Sequence, residues 1–459
     1  MGSSTHLQGA ARRSRRRQRL LAAVVAITAV VVGAVAGPAV AAVAPAGLMP
    51  AVVPAAVDGW SGPKGLTKTD YYFERMQGAV ANDGTAVVAF SKGNDREVYT
   101  RVRSGATRTW GERELLTRSA NGPPLTATRD GAVAAVWIDE DLTHPLTQLM
   151  IRRYGPDGWG AARGVPVEGP STSVVDVDMN ARGDVAVVLQ LVDDSVGVAV
   201  APVRGPWKVE PLVSKGVRYQ AARVLLSDEG QLTVVETDSP SGPLPDAIDV
   251  ARLDGAGAWT TTELGPPDKI RVSDVAAEVG PLGTVAVLWT ESNGASQVVL
   301  QVADPGGMFG PRRVLAGSDQ RDCFYPDSCA DVGFAPGDRL VVAWSIGGPG
   351  AGVLVADRSS DGAWSDPVAV PLEEPASEVV DLAVNQDGSF VIKALSEFAS
   401  CPTLTTCTSV GAPDPWPIWY HQYGWVAAGP GGSVNLLYGE RLCQGRCFGR
   451  PYWSAWHAR

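Results

Sequence analysis

The sequence predicts an all-β fold, a β-propeller of four-stranded antiparallel blades, and three observations predict it. First, residues 171–213 read as four short apolar runs, Val174–Asp178, Val185–Val192, Val196–Val203 and Trp207–Val213. Turns at Ala181-Arg182-Gly183-Asp184 and Arg204-Gly205-Pro206 separate them. Runs of that length, rich in β-branched residues and closed by Gly or Pro, make one antiparallel four-stranded sheet. Second, a Gly turn followed by a strand recurs at Gly84, Gly131, Gly183, Gly230, Gly283, Gly337, Gly388 and Gly432. Third, an aromatic after a turn recurs at Trp60, Trp110, Trp159, Trp207, Trp259, Phe309, Trp364 and Trp416. Each series has eight members spaced 44 to 55 residues apart, the period of a four-stranded blade.

In chain order, residues 1–41 read as a targeting segment. Six arginines between Arg12 and Arg19 precede an apolar stretch from Leu20 to Ala36, and Ala39-Val40-Ala41 fits a small-residue cleavage site. An uncleaved anchor is the alternative. Residues 42–57 are Ala- and Pro-rich and read as a linker. Without the targeting segment the chain carries 33 basic and 49 acidic residues, a net charge of −16. That balance argues against nucleic acid and anionic surfaces as partners. No later apolar run reaches membrane-spanning length. The expected protein is secreted or associated with the cell envelope, and monomeric.

Residues 58–459 carry the repeats. The aromatic signal comes first, at Trp60, and the Gly-turn signal comes last, at Gly432. The chain therefore starts with a lone fourth strand and ends with the first three strands of a blade. Pairing the two ends closes the ring and hides a sheet edge. The count gives eight blades. Seven is the alternative, because the unit Glu378–Tyr423 is irregular and its third strand must be read from Leu404–Val410. The recurring Trp fills space between blades, and the recurring Gly takes a positive φ in a hairpin turn.

The turn Ser359-Ser360-Asp361-Gly362-Ala363-Trp364 resembles the Asp box of sialidase-type propellers, as do Gly155-Pro156-Asp157-Gly158-Trp159 and Asp58-Gly59-Trp60. In this chain Gly follows Asp directly instead of two residues on. In that family the boxes are structural, so the resemblance implies a fold and no activity. The arginine triad and the Tyr–Glu pair of sialidases find no clear match. The stretch Tyr71-Tyr72-Phe73-Glu74-Arg75-Met76 offers one Arg beside aromatics.

Function is expected on the variable loops, at the end of the blades opposite the short turns. Three close cysteine pairs, Cys323/Cys329, Cys401/Cys407 and Cys443/Cys447, are expected there as disulfides. Phe324, Tyr325, Phe448, Tyr452 and Trp453 lie among them and suit stacking on a sugar or docking a protein. An acid lies just past the second strand in six units: Asp139, Asp193, Asp238, Glu291, Glu397 and Glu440. With the second strand near the channel these would ring one mouth and could hold a hard cation such as Ca²⁺. Solvated strand-end charges are the plainer reading. No metal-site spacing, nucleophile elbow or phosphate loop is found. The sequence thus favours a secreted glycan- or protein-binding propeller over a glycoside hydrolase that uses loop carboxylates.

Overall fold

The structure is a computed structural model. It describes residues 60–65, 76–81, 83–92, 97–118, 120–129, 132–140, 147–155, 157–166, 171–191, 196–211, 219–238, 247–254, 257–265, 271–292, 296–317, 329–346, 352–372, 381–394, 397–410, 425–429, 433–444 and 446–456. Among these residues the backbone forms antiparallel sheets that follow one another along the chain. In sheet three, Ser171–Met179, Val185–Leu191, Val196–Ala201 and Lys208–Pro211 pair in chain order, close to the runs expected. Sheets one to seven share this order, and sheet two has an extra short strand, Gly158–Trp159. The last sheet takes Trp425–Gly429, Ser433–Gln444 and Arg446–Trp456, with Trp60–Gly65 on its edge. Trp60 lies opposite Trp456, and Gly65 opposite Tyr452.

Among the described residues the first strands of the sheets are Met76–Val80, Ala120–Arg129, Ser171–Met179, Tyr219–Leu226, Arg271–Val279, Ala330–Ala335, Asp381–Val384 and Trp425–Gly429. Each packs against the first strand of the next sheet, and Trp425–Gly429 packs against Met76–Val80. This all-β succession of small sheets, inner strand to inner strand, is a propeller architecture.

Period-two alternation explains the apolar second strands. In sheet three, Val185, Val187 and Leu189 pack toward Val136 and Ile151 of sheet two. The intervening Ala186 and Val188 pack toward Val224 and Val234 of sheet four. Both faces are buried, so the strand reads as a continuous apolar run. The indoles sit in the same cores. Trp137, Trp289 and Trp344 are fully buried, and Trp207, Trp259 and Trp364 pack against cores between neighbouring sheets.

The Gly turns have the expected conformation. Gly84, Gly183, Gly230, Gly283, Gly337 and Gly388 have φ between 71° and 96°; Gly131 and Gly432 lie outside the described residues. At Gly183 the amide donates to the Asn180 carbonyl, 2.8 Å away. The Asn180 side-chain oxygen accepts the amides of Arg182 and Asp184. This is a type I turn closed by a left-handed Gly, where a Cβ would be strained.

Two expectations on strand boundaries are corrected. The third strand of sheet seven is Glu397–Cys401, not Leu404–Val410, and Thr408–Val410 is its fourth strand. Only residues 395–396 separate Glu397 from the second strand, Phe390–Ala394. A connection that short leaves no polar stretch to mark the boundary. Trp416 therefore follows the fourth strand instead of opening it, and lies outside the described residues. Elsewhere, Trp60 and Trp259 do open fourth strands. Trp110, Phe309 and Trp364 instead make isolated bridges to Arg103, Ala303 and Arg358. There the next amide, of Gly111, Gly310 or Ser365, closes onto the third strand, and the fourth strand resumes at Glu114, Arg313 or Val368.

Candidate functional site

In each antiparallel sheet the first–second and third–fourth connections share one end, and the second–third connection lies at the other. At the turn end the chain closes tightly on itself. At Ser359-Ser360-Asp361-Gly362, the Ser359 hydroxyl donates to Asp361 Oδ1 and the Ala363 amide donates to the same oxygen at 3.2 Å. Those two donors, the hydroxyl foremost, hold the Asp361 carboxyl below the usual carboxylate range. The Asp is spent on its own turn.

The loop end holds Cys329 and the Cys443/Cys447 pair. Cys329 is buried, disulfide-bonded and just ahead of the first strand of sheet six; Cys323 lies outside the described residues. Cys443 and Cys447 face each other in the ladder of the last hairpin. Cys401 and Cys407 are bonded as expected, but at the turn end, between the third and fourth strands of sheet seven. The three pairs therefore do not share one face. The corrected third strand moves this staple to the opposite end.

The candidate aromatics separate in the same way. Phe324 and Tyr325 lie outside the described residues. Phe448 stands opposite Leu442, near the hairpin tip. Tyr452 and Trp453 are not on a loop. They sit in a strand paired on both sides, with Tyr438 and Gly65 opposite Tyr452 and with Leu437 and Lys64 opposite Trp453.

Five of the six acids fall among the described residues. Asp139, Asp238, Glu291 and Glu440 are within second strands, and Glu397 opens a third strand; Asp193 lies outside the described residues. Glu291 is 2% exposed and fully engaged. Trp289 Nε1 donates to its Oε1 at 2.9 Å, Arg312 Nε donates to Oε1 at 3.1 Å, and Arg312 Nη2 donates to Oε2. Among the described residues no three His, Cys, Asp or Glu side chains are placed to hold a metal ion, so the Ca²⁺ expectation finds no support there.

A polar row absent from the sequence expectations lies on the first strands. An inner strand has a free edge of amides. Asp176 Oδ2 accepts the Val224 amide at 3.0 Å, and Asp178 Oδ2 accepts the Leu226 amide at 2.7 Å. Two acids two residues apart thus meet two amides two residues apart, across one seam. Asp331 Oδ2 accepts the Leu382 amide at 2.8 Å in the same way. At the turn end, Asp338 bonds the amides of Leu282 and Thr284 across the seam between sheets five and six. Burial raises the Asp176 carboxyl above the ordinary range, against the pull of Arg223 and two amides. Burial also raises Asp381, against Lys393. Asp331 is pushed up to about 7, first by burial and then by the Asp381 charge. Arg223 of sheet four lies 3.8 Å from Asp176, and its charge is also felt at Asp331 of sheet six.

No family model matches the chain, and no curated protein matches it. Solved structures do match. The Dos1 propeller is 8% identical, with a TM-score of 0.47, over 85% of this chain and 93% of its own. The BP39L lectin from Burkholderia pseudomallei is 14% identical, with a TM-score of 0.46, over 82% and 98%. A protein of unknown function from Dyadobacter fermentans is 12% identical, with a TM-score of 0.40, over 87% and 100%. These overlaps are loose, and the propeller class rests on the sheets of this chain. Among the described residues no helix is long and apolar enough to cross a membrane.

Proposed function

We propose that this chain is an exported eight-bladed β-propeller that binds a glycan through its loop end. The ring reading rests on the inner strands, each packed on the next, and on the edge position of Trp60–Gly65 beside the final three strands. The binding reading rests on one observation, the contrast between the two ends. The turn end uses short Gly turns whose polar groups are spent on the backbone. The loop end has connections as long as the one between Gly317 and Ala330, and Cys329 there is disulfide-bonded. A rigid ring with uniform turns on one side and varied loops on the other carries its ligand on the varied side. Phe324, Tyr325 and Phe448 are the aromatics proposed to stack on the ligand. Tyr452 and Trp453 are dropped from that set because of their place in the strand.

The test is a thermal-shift panel of glycans against the purified full chain. A glycan at about 100 times its Kd stabilises by roughly 2.7 kcal/mol, a midpoint rise of a few degrees. The reading expects a rise with one glycan class that is lost in Phe448→Ala or in Phe324→Ala with Tyr325→Ala. A flat panel, or a rise untouched by these changes, contradicts it. A rise with a protein fraction and none with glycans moves the ligand class to protein.

A further inference from the structure

We propose that the outer edge of sheet four, Trp259–Leu264, pairs with the same edge of a second copy of this chain, so that two sheets join into one across a two-fold axis. The inference is independent of the ligand reading, and it sets a pair in place of the expected monomer. Trp259–Leu264 is the fourth strand of its sheet and is hydrogen-bonded to the third strand, Ala247–Leu253. Among the described residues no further strand covers its other side. An outer strand carries a row of outward amides and carbonyls, a template for one more strand. Here the row is open to solvent, because Thr260, Thr261, Thr262 and Glu263 are exposed in succession.

The other outer strands are each blunted. Glu114–Thr117 has four residues and a register shift at its partner strand. Arg163–Pro166 and Lys208–Pro211 have four residues each and end in Pro. Arg313–Gly317 has a register shift at its partner strand. Val368–Ala369 and Thr408–Val410 have two and three residues. Trp60–Gly65 is as long as the edge of sheet four, but it contains Pro63 and a register shift. Shortness, Pro and irregular register are the devices that keep an edge from pairing. Trp259–Leu264 has none of them. Its six residues pair with the third strand without a shift, and it carries neither Pro nor a basic residue.

The edge itself points to its occupant. Thr is a good strand former, and Thr–Thr pairs across strands are favourable. A strand that pairs with its own copy in an antiparallel ladder must centre on a residue, because outward groups belong to alternate residues. Leu264 is buried and Trp259 is not, so the open row centres on Thr261. That register sets Thr260 opposite the partner's Thr262, and Glu263 opposite the partner's Trp259, so no two like charges face each other across the axis. A second copy also brings a strand of matching length already held in a sheet. It bears none of the ordering cost of an unstructured peptide. Pairing uses the edge of both copies, so association stops at two. Six residues a side are far fewer than the roughly 20–30 of a standard interface, so the pair is expected to form and dissociate with concentration.

The experiment measures the mass of the full chain in solution by sedimentation equilibrium, from about 1 µM to about 1 mM. The natural chain is compared with Thr261→Lys, Thr261→Glu and Thr261→Val. The natural chain is expected to rise about twofold in mass with concentration, from one 48.0 kDa chain to two. Thr261→Lys and Thr261→Glu each place like charges at the centre of the ladder, and each is expected to stay single. Mixed in equal amounts they are expected to recover the doubled mass, because opposite charges then meet at the axis. Thr261→Val keeps a β-branched side chain and is expected to pair as the natural chain does. The proposal is overturned if the natural chain stays single throughout, or if its mass grows past two chains. It is also overturned if Thr261→Lys or Thr261→Glu pairs as well alone as the natural chain, or if their mixture stays single.

Discussion

At the seam between sheets three and four, the residue ahead of the bonded amide Val224 is Arg223; at the seam between sheets six and seven, the residue ahead of the bonded amide Leu382 is Asp381. The bond is the same at both seams, an inner-strand carboxylate accepting an inner-strand amide one repeat later. The neighbouring charge is opposite. Arg223 pulls Asp176 toward its charged form, while Asp381 pushes Asp331 away from it. The first seam also has a second acid, Asp178, on a second amide. The sheets that supply the acids and amides differ too. Sheet three has strands of nine, seven, six and four residues, and sheet seven has strands of four, five, five and three. The smaller sheet carries the Cys401–Cys407 staple. One backbone need, an acceptor for an exposed inner edge, is thus met once beside an opposite charge and once beside a like one.

The comparison can be broken most forcefully at the first seam. Replacing Asp176 and Asp178 together by Ala leaves the Val224 and Leu226 amides without acceptors. At about 1–3 kcal/mol for each buried donor left unsatisfied, the pair is expected to cost about 4 kcal/mol in denaturant unfolding. A loss below about 1 kcal/mol would show that water replaces the carboxylates and that the seam is not sewn by them.

A smaller effect is expected from the staple. Replacing Cys401 and Cys407 by Ser opens a loop with a sequence separation of six, and the expected loss is about 2 kcal/mol. The loss should appear first as faster amide exchange in Glu397–Val410, with sheet three unchanged. Equal loosening of both sheets would mean that the sheets respond together. Smaller still are the turns above each seam. Gly183 and Gly388 have φ of 80° and 83°, so Ala at either is expected to cost about 1 kcal/mol. The added Cβ meets Val203 Cγ2 at 3.0 Å in the first case and Arg339 Nη2 at 2.9 Å in the second, so the two costs should be similar.

The sheets were legible because both faces of each second strand are buried, and because a left-handed turn demands Gly at a fixed place in each repeat. Sheet three was read nearly strand for strand. In sheet seven the pattern points to Leu404–Val410 as third strand, because only two residues separate Ala394 from Glu397 and no polar stretch marks the start of Glu397–Cys401. That single shift placed one disulfide at the wrong end. The seam acids were present in the sequence as Asp176, Asp178, Asp331 and Asp381, each inside an apolar run just before a Gly turn. Asp176 and Asp381 each stand seven residues before the turn Gly. Their partners lie about one repeat farther on, and only the packing of one sheet on the next brings an amide to each of Asp176, Asp178 and Asp331. Acids at second-strand ends were easier to notice, and the one whose contacts are clearest, Glu291, is fully used by Arg312 and Trp289.

The most direct measurement exchanges the two charges. Arg223→Asp gives the first seam the surroundings of the second, and Asp381→Arg does the reverse. Thermal midpoints of both full-length variants would be taken at about pH 5 and pH 8 beside the natural chain. The account predicts that Arg223→Asp steepens the loss of stability toward alkaline pH and that Asp381→Arg flattens it. Parallel curves for all three chains would contradict it, because the charge beside the bonded amide would then have no hold on the seam.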